Sequence, residues 1–457
     1  MSLRVLISLT SLGLLVGAPR ALHGQAGRIS YESFTLPNGL RVIYSEDHST
    51  PIVSVDLWYN TGSRNERPGR SGFAHLFEHM MSQGSAHVKK AEHGQLIQRA
   101  GGFDNGSTTE DRTNYLETVP SNRLNLALWL EADRMRSLAI TEENFHNQRE
   151  TVKEERRFRV DNRPYSPAIV DGMTWPFDST ACFAYAHTVI GSMDDLNAAQ
   201  LADVQAFFDT YYAPNNATLV VVGDLQPREL RRLVNQYFAT IPRHPDPPAV
   251  QCEYRLTPGG ERREVQDAHA NLPASVRFYR IPAHGDADTP ALELLNVILG
   301  QGESSRLNVS VVRRDKAAVG TQVLSNPVGP RRGPGVLVIL GIVNQGVEVL
   351  KLDSLIAAQV DSIRTGGVTA EELTKAKNTF RAQFIHNRET TLDKAEDLHH
   401  YDLFHVSLAE INSDLERYLA VSADDIRRVA NRYLDPANAV IVIVRPATGA
   451  SSSGGAQ

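Results

Sequence analysis

The chain carries one sequence pattern twice, at a constant offset of 222 residues. Each copy has an amphipathic stretch, then a Tyr-x-x-Pro-x-Asn-Ala turn, and then an apolar run. The two copies begin at Asp203 and Asp425, and their turns end at Ala217 and Ala439. The pattern predicts a helix, a turn and a buried strand in each copy. Because the internal spacing is unchanged, we expect two similar domains of about 200 residues each.

Length and composition agree with two folded units. The 457 residues exceed the size at which a single core stops growing, about 250–300 residues. The hydrophobic content of 41% and the charged content of 22% are those of a globular protein. We place the first domain at residues 29–241 and the second at residues 265–446. Residues 242–264, rich in proline, glycine and charge, form the predicted linker, and the Ser/Gly/Ala-rich residues 447–457 a predicted disordered tail.

Residues 1–24 predict a cleavable signal peptide. Arg4 gives a basic start, an apolar run occupies residues 5–18, and small residues follow near the expected cleavage position. The run is shorter than the roughly 20 residues that span a bilayer, although a retained N-terminal anchor is the alternative. No other stretch is long and apolar enough for a stable membrane span. We therefore expect a secreted or periplasmic protein.

Net charge and cysteine content limit the chemistry. The formal net charge of −6 provides no basic field that would indicate a nucleic-acid partner. Two cysteines, Cys182 and Cys252, are too few for an all-cysteine zinc site or a disulfide scaffold. Their separation does not decide whether they pair, and two separate buried thiols are the expectation.

Strand and helix patterns are mixed within each half. Residues 40–44 and 52–59 predict strands, and residues 121–137 carry apolar side chains near helical spacing. Thr141 is the expected N-cap of a helix that extends to about Val160. This mixture predicts the α+β class, with a mainly antiparallel sheet covered by helices in each domain.

His75, Glu78 and His79 form the strongest functional signal. No proline or glycine interrupts residues 73–83, so we expect a helix whose four-residue spacing puts both imidazoles on one face. Two neutral imidazoles so placed can share one Zn²⁺. Glu78 lies on the same side, where it can deprotonate a zinc-activated water. The order His-x-x-Glu-His is an inverted zinc-peptidase motif. An ordinary helix with two hydrogen-bonded histidines is the alternative.

A third protein ligand is expected in the helix after Thr141. Phe145, Gln148, Val152 and Glu155 fall on one helix face, and the two apolar members indicate that this face packs inward. A carboxylate on a buried face needs a partner, and a metal ion is one. A salt bridge from Glu155 to a nearby arginine is an equally open alternative.

These residues resemble the pitrilysin-type zinc peptidases, the inverted-motif family that includes insulin-degrading enzyme and the mitochondrial processing peptidases. The resemblance rests on the His-x-x-Glu-His motif, on residues 101–115 and on the helix that holds Glu155, and it covers nearly the whole mature chain. It implies two homologous domains of the LuxS/metallopeptidase-like kind that form a clam-like chamber. It also implies one Zn²⁺ per chain, bound by His75, His79 and Glu155, with Glu78 as the general base.

The resemblance further implies a strand that binds substrate. An edge strand would receive the peptide as an added strand, with affinity from backbone hydrogen bonds. The residues implied are Asn105, Gly106, Ser107 and Thr108. Gln148 stands where the family often has a glutamate, and its amide is expected to orient a histidine ligand.

The second half departs from the family pattern. Family members carry an arginine and a tyrosine, about seven residues apart, that reach the substrate at the zinc. Arg313 fits the arginine, but Val319 and Gly320 supply no tyrosine. Because such donors stabilise the oxyanion, we expect a homodimer, or a heterodimer with a related chain that supplies the Arg/Tyr pair.

The sequence therefore predicts a zinc-dependent endopeptidase that hydrolyses peptides or unfolded polypeptides. The alternative is a non-catalytic assembly or peptide-binding subunit of the same family. His187 is expected to be a hydrogen-bonded histidine rather than a ligand. His399 and His400 are adjacent and point to different helix faces, which is unsuited to one shared metal.

Overall fold

The computed structural model describes residues 27–252 and 260–447, so the predicted signal peptide and residues 448–457 of the predicted tail lie outside the described residues. The first half contains β1 (Glu32–Thr35), β2 (Arg41–Glu46), β3 (Ile52–Tyr59), α1 (Phe73–Met80), α2 (Glu92–Arg99), β4 (Phe103–Thr108), β5 (Thr113–Pro120), α3 (Leu124–Ser137), α4 (Glu142–Arg156), α5 (Ser166–Gly172), α6 (Met193–Ala198), α7 (Leu201–Tyr211), β6 (Ala217–Gly223) and α8 (Pro227–Phe238). The second half contains β7 (Glu261–Asp267), β8 (Ala274–Ile281), α9 (Thr289–Gly300), β9 (Ala318–Ser325), β10 (Gly335–Val343), α10 (Val349–Gly366), α11 (Ala370–His386), α12 (Thr391–Phe404), α13 (Asp414–Ala420), α14 (Ala423–Tyr433) and β11 (Ala439–Pro446).

Each half is built on one sheet, and the five strands of the second sheet follow the order of five of the six strands of the first, which has β1 as an additional edge strand. The first sheet runs β1-β2-β6-β3-β5-β4 and the second β7-β11-β8-β10-β9. In each sheet one pair is parallel, β2 with β6 and β7 with β11, and the other pairs are antiparallel. The repeated apolar runs of the sequence form the equivalent strands β6 and β11. Two homologous α+β domains with mainly antiparallel sheets are thus confirmed.

One face of each sheet is covered by helices of its own half. In the first half, α1, α3, α7 and α8 bury their apolar sides on β2, β3, β5 and β6. In the second half, α9, α10 and α14 cover β8, β10 and β11 in the same way. Alternate side chains of each strand point to opposite faces, so the other face of each sheet also needs an apolar cover.

That other face is covered by a helix from the opposite half. Helix α12 packs Ala395 and Leu398 on Ile43, Val220 and Val222 of the first sheet. Conversely, α5 of the first half lies on the second sheet, so close that a side chain at Gly172 would collide with the ring of Phe278. The two halves are therefore interlocked by an exchange of helices, which fixes their relative position.

The connection between the halves differs from the prediction in two respects. The linker was expected to reach Glu264, but β7 begins at Glu261 because this stretch pairs in parallel with β11. Cys182 and Cys252, expected as separate buried thiols, are joined in a disulfide because both pack in the same apolar cluster. Among the described residues, no helix combines the length and apolar character needed to cross a membrane.

Candidate metal centre and active site

Helix α1 carries the inverted motif on one side and an apolar stripe on the other. The stripe follows the i, i+3, i+4, i+7 spacing of a helix face that is anchored in the core, and it consists of Phe73, Leu76, Phe77 and Met80. Phe77 is fully buried, with its ring centroid 5.7 Å from that of Phe208. Because this side is anchored in the core, His75, Glu78 and His79 line the cavity on the other side.

The start of α1 is held by a buried carboxylate. Gly72 precedes the helix with φ of 87°, a left-handed conformation that favours glycine. The backbone N–H groups of Gly72 and Ala74 donate to Glu66 at 2.8 and 2.7 Å, which caps the helix N-terminus. His187 lies 3.0 Å from the same carboxylate, and its other ring nitrogen is 2.7 Å from the carbonyl of Phe183. The hydrogen-bonded role expected of His187 is thus confirmed.

The two motif histidines and Glu155 converge on one point. Glu155 on α4 places its Oε2 atom 3.6 Å from Nε2 of His75 and 3.1 Å from Nε2 of His79. The N-cap predicted for α4 is present, since Thr141 accepts a hydrogen bond from the backbone of Asn144 at 3.2 Å. Helix α4 packs directly on α1, so the third donor is delivered by helix packing rather than by a loop.

The donor set fits a catalytic zinc ion. A tetrahedral Zn²⁺ with bonds of about 2.0–2.1 Å holds its ligand atoms about 3.3 Å apart, and the distances of 3.1 and 3.6 Å lie on either side of that value. Two imidazoles and one carboxylate also leave a fourth position for water or substrate. The residues present therefore match the group that the motif implies.

Burial and mutual contact set the charges of these groups. The pKa of His75 is lowered to about 4, mainly by burial and secondly by the nearby His79. This imidazole is therefore neutral, which is the form that binds a metal. The hydrogen bond from His79 holds the pKa of Glu155 below its ordinary value. The other carboxylate oxygen of Glu155 lies 2.8 Å from Nη1 of Arg159. The salt bridge considered from sequence is therefore present beside the candidate metal position.

Glu78 sits between the candidate metal position and strand β4. Its Oε2 atom accepts a hydrogen bond of 2.6 Å from the hydroxyl of Thr108. Burial raises the pKa of Glu78, and the bond from Thr108 works against that rise. A carboxylate with a raised pKa and one fixed oxygen is suited to accept and return a proton near neutral pH.

Strand β4 is the edge of the first sheet and carries the four residues expected to bind substrate. The backbone N–H of Thr109 donates to the carbonyl of Arg112 at 2.9 Å, so Thr109 faces the neighbouring strand. In an antiparallel pair, the backbone groups of successive residues point alternately towards and away from the neighbouring strand. The backbone groups of Gly106 and Thr108 therefore point away from β5. A Cβ atom at Gly106 would lie 3.4 Å from Cγ of Glu78. The free backbone edge thus passes directly beside Glu78. The residues of β4 that line the cavity are Asn105, Gly106, Ser107 and Thr108.

The cavity over this site has a volume of about 610 Å³ and is lined by both halves. Apolar side chains such as Val160, Met173 and Ile190 form part of its wall. From the second half, Arg331 reaches the cavity and bonds to Glu110 at 2.5 Å. Its Nε and Nη1 atoms are buried without a hydrogen-bond partner among the described residues. Sequence reasoning missed Arg331, because no local pattern marks it.

Two other sequence candidates have different outcomes. Gln148 is buried on α4, and its side chain is within hydrogen-bonding reach of His79, where an amide can orient the imidazole. Its Nε2 atom donates to Oδ1 of Asn147 at 2.6 Å. Arg313 does not reach the cavity. It is half-exposed on an irregular turn and forms an ion pair with Glu303, which holds it at the surface of the second half. The structure therefore does not bring Arg313 to the cavity, and the expectation that it contacts substrate stays a prediction.

Comparison with known proteins agrees with this site. A family profile described as Insulinase (Peptidase family M16) matches residues 41–170, and one described as Peptidase M16 inactive domain matches residues 198–380. The zinc protease PqqE of Helicobacter pylori is 32% identical over 451 residues, which cover 97% of this chain and 99% of that protein. The chain belongs to peptidase family M16.

Solved structures show the same fold for this M16 chain. The crystal structure of a protease from Helicobacter pylori matches with a TM-score of 0.85 and 30% identity, covering 92% of this chain and 100% of that one. The periplasmic protease PqqL from Escherichia coli matches with a TM-score of 0.74 at 17% identity, covering 91% of this chain and 47% of that one. The profile described as inactive falls mainly on the half that lacks a His-x-x-Glu-His motif.

Proposed function

We propose that the chain is a zinc-dependent endopeptidase acting on peptides or unfolded polypeptides. The observation that carries this proposal is the convergence of His75, His79 and Glu155 beside Glu78, at the free edge of β4. An extended chain can add to such an edge through backbone hydrogen bonds, which makes few demands on its side chains. A folded protein offers few free strands of this kind, so unfolded segments are the preferred substrates.

The residues of the site divide the work of amide hydrolysis. A zinc ion held by His75, His79 and Glu155 would supply a Lewis acid that activates water and polarises the scissile carbonyl. Strand β4 positions the peptide so that its scissile bond passes Glu78. Glu78 takes the proton from the attacking water and returns it to the leaving amine, while Thr108 fixes the orientation of the carboxylate.

Metal removal tests the proposal directly. The purified chain should cleave an unfolded polypeptide, lose that activity after chelation, and regain it when Zn²⁺ is restored. An unfolded protein such as reduced casein should be cleaved faster than a folded domain of similar size. If the zinc-loaded chain binds such polypeptides without cleaving them, alone or with a related chain, the peptide-binding subunit is the correct function.

We propose that the protein works outside the cytoplasm, as a secreted or periplasmic enzyme. The basic and apolar start of the sequence supports this, as does the disulfide between Cys182 and Cys252, because disulfides persist in oxidising compartments. Fractionation of expressing cells should recover a shortened, oxidised chain outside the cytoplasm. A full-length, reduced chain in the cytoplasm would contradict the proposal.

We propose further that a related chain, or a second copy, completes the active chamber. Arg313 is held at the surface and Val319-Gly320 supplies no tyrosine, so the second half does not present the expected donor pair. Arg331 is a donor that the second half of this chain brings to the cavity. A peptidase assay with and without a related chain distinguishes a chamber completed by that chain from a chamber that this chain completes by itself. Full activity of the monomer, lost in Arg331→Ala, would assign the role to Arg331 instead.

A further inference from the structure

Three histidines from two distant parts of the sequence meet in the second half. His284 lies in the loop after β8, His400 lies on α12, and His405 directly follows the last residue of α12. We call these three residues the second histidine cluster. A side chain at Gly285 would lie 2.7 Å from the carbonyl oxygen of Phe404, so the loop and the helix end are in close contact here. This packing brings the three imidazoles together.

The rings of the second histidine cluster form a compact triangle. Ring centroids are 4.7 Å apart for His284 and His400, 5.2 Å for His400 and His405, and 5.8 Å for His284 and His405. One ligand nitrogen from each residue lies within 4.8 Å of the other two. The Nε2 atoms of His284 and His400 are 3.0 Å apart, close to the spacing of about 3.3 Å that a tetrahedral zinc ion imposes.

The surroundings of His405 orient one of its nitrogens towards a ligand. Nδ1 of His405 lies 3.0 Å from a carboxylate oxygen of Glu410. Its Nε2 atom is buried and has no hydrogen-bond partner among the described residues, and the side chain is only 4% exposed. A carboxylate that holds one imidazole nitrogen while the other binds a metal is the usual support of a histidine ligand. A buried imidazole nitrogen without any partner is otherwise unfavourable.

The charge state of the cluster is also that of a metal site. The pKa of His284 is lowered to about 4, mainly by burial and secondly by the nearby His405. Burial, followed by His284, lowers the pKa of His400 well below its ordinary value. For His284 and His400 both shifts favour the neutral imidazole, which is the form that binds metal ions.

We propose that His284, His400 and His405 bind a second metal ion, a borderline divalent cation of the Zn²⁺ type, separate from the catalytic centre. Three imidazoles with a fourth ligand from water satisfy tetrahedral coordination, and Glu410 supplies the supporting carboxylate. The inference rests on these residues alone and does not depend on peptidase activity.

Such an ion would connect parts of the molecule that meet at the chamber. Helix α12 belongs to the second half but covers the first sheet, whereas His284 belongs to the loop after β8. The backbone N–H of His284 donates to the carbonyl of Arg331 at 2.9 Å, and Arg331 lines the catalytic cavity. The second ion therefore has a structural role, bracing the exchanged helix against the segment that carries Arg331.

Metal counting on the full chain tests the site. We expect the unaltered chain, loaded with Zn²⁺ and freed of excess metal by gel filtration, to retain two zinc ions. A His75→Ala/His79→Ala chain should retain one. Adding His400→Gln to that background should leave fewer than about 0.2 ions per chain, since two imidazoles alone bind weakly. The matched control is His386→Gln in the same background, because His386 is exposed and pairs with Glu389; it should retain one ion.

Two further measurements separate loss of metal from loss of folding. Co²⁺ added to the His75→Ala/His79→Ala chain should give the visible absorption of a tetrahedral site, and His405→Gln should remove it without changing the far-ultraviolet circular dichroism. Glu410→Gln leaves all three imidazoles in place and should weaken Zn²⁺ binding by about 10–100-fold. The proposal is overturned if the His75→Ala/His79→Ala chain retains no zinc, or if His400→Gln and His405→Gln leave its metal content unchanged.

Discussion

Glu155 divides its two carboxylate oxygens between different partners. One oxygen faces the imidazoles of His75 and His79, and the other lies beside Arg159. The two interpretations left open by the sequence, a metal ligand and a salt bridge, are therefore compatible in one side chain. Arg159 neutralises the oxygen that a single metal bond would leave unused, and it holds the carboxylate in place.

Replacing Glu155 should affect the metal rather than the fold. Glu155→Gln keeps the shape of the side chain but removes the charge, so we expect zinc affinity at the catalytic centre to fall by at least about 100-fold. Competition with a chelator of known affinity measures this change. The matched control is Glu154→Gln, on the same helix but directed to the exposed Arg157, which should leave zinc affinity unchanged. Equal effects of the two substitutions would contradict the ligand assignment.

The residues of the candidate site could be predicted from sequence to different degrees. His75, Glu78 and His79 lie within one helix, so helical periodicity alone places them together. Glu155 needed the additional inference that its helix face packs inward. Arg331 was inaccessible, because it reaches the cavity through its contact with Glu110, 221 residues away, and such contacts depend on the packing of the whole molecule.

Among the elements, strand β4 is the one that places a free backbone edge beside the candidate metal position. Its backbone groups at Gly106 and Thr108 face away from β5, and no strand of the described residues pairs with that edge. Free strand edges are usually blocked because they promote aggregation. We therefore propose that the open edge beside Glu78 is the place where an extended substrate binds.

Backbone methylation of a peptide substrate tests this binding mode. Each methyl group removes one N–H donor, so a methyl group on the nitrogen that faces β4 should weaken binding about three- to tenfold, the effect of losing about 1 kcal/mol. Methylation of the next nitrogen along, which faces away from β4, serves as the control. Inhibition constants for the two methylated peptides against a common substrate give the comparison. Equal inhibition by both would argue against strand addition.

At the scale of the whole molecule, the exchange of helices α5 and α12 unites the two halves. The repeat of 222 residues predicted two similar domains, and the matching strand orders confirm them. The repeat did not predict the exchange of helices. A sequence repeat indicates that two domains are similar, but it does not indicate which domain's helix packs on which sheet. Asp47, in the loop after β2, forms an ion pair with Lys394 of α12 across the boundary between the halves.

The ion pair between the halves should make stability depend on pH. The hydrogen bond from Lys394 lowers the pKa of Asp47 to about 2, from an ordinary value of 3.8. Because the pKa of Asp47 is lower in the folded than in the unfolded chain, its ionised form stabilises the folded state at pH values above the pKa in the unfolded chain. This contribution is lost as the pH falls through the pKa in the folded chain. Asp47→Asn should therefore lower the free energy of unfolding by about 1 kcal/mol at neutral pH, because the pair is only partly buried.

Urea unfolding at several pH values measures this effect. The difference between Asp47→Asn and the unaltered chain should shrink as the pH falls below about 4 and should be mostly lost by about pH 2, the pKa of Asp47 in the folded state. Asp246→Asn is the control, since Asp246 is exposed and pairs with Arg243, three residues away in the sequence. A constant difference at all pH values would show that the ion pair does not stabilise the junction.

We propose that Glu78 is the general base beside a zinc ion held by His75, His79 and Glu155. Zinc content and peptide hydrolysis, measured on one preparation of Glu78→Gln, test this role. We expect the variant to retain as much zinc as the unaltered chain while its rate constant for hydrolysis falls by about 10²–10⁴-fold, the usual contribution of a general base. Hydrolysis within about threefold of the unaltered rate, with zinc still bound, would contradict the account.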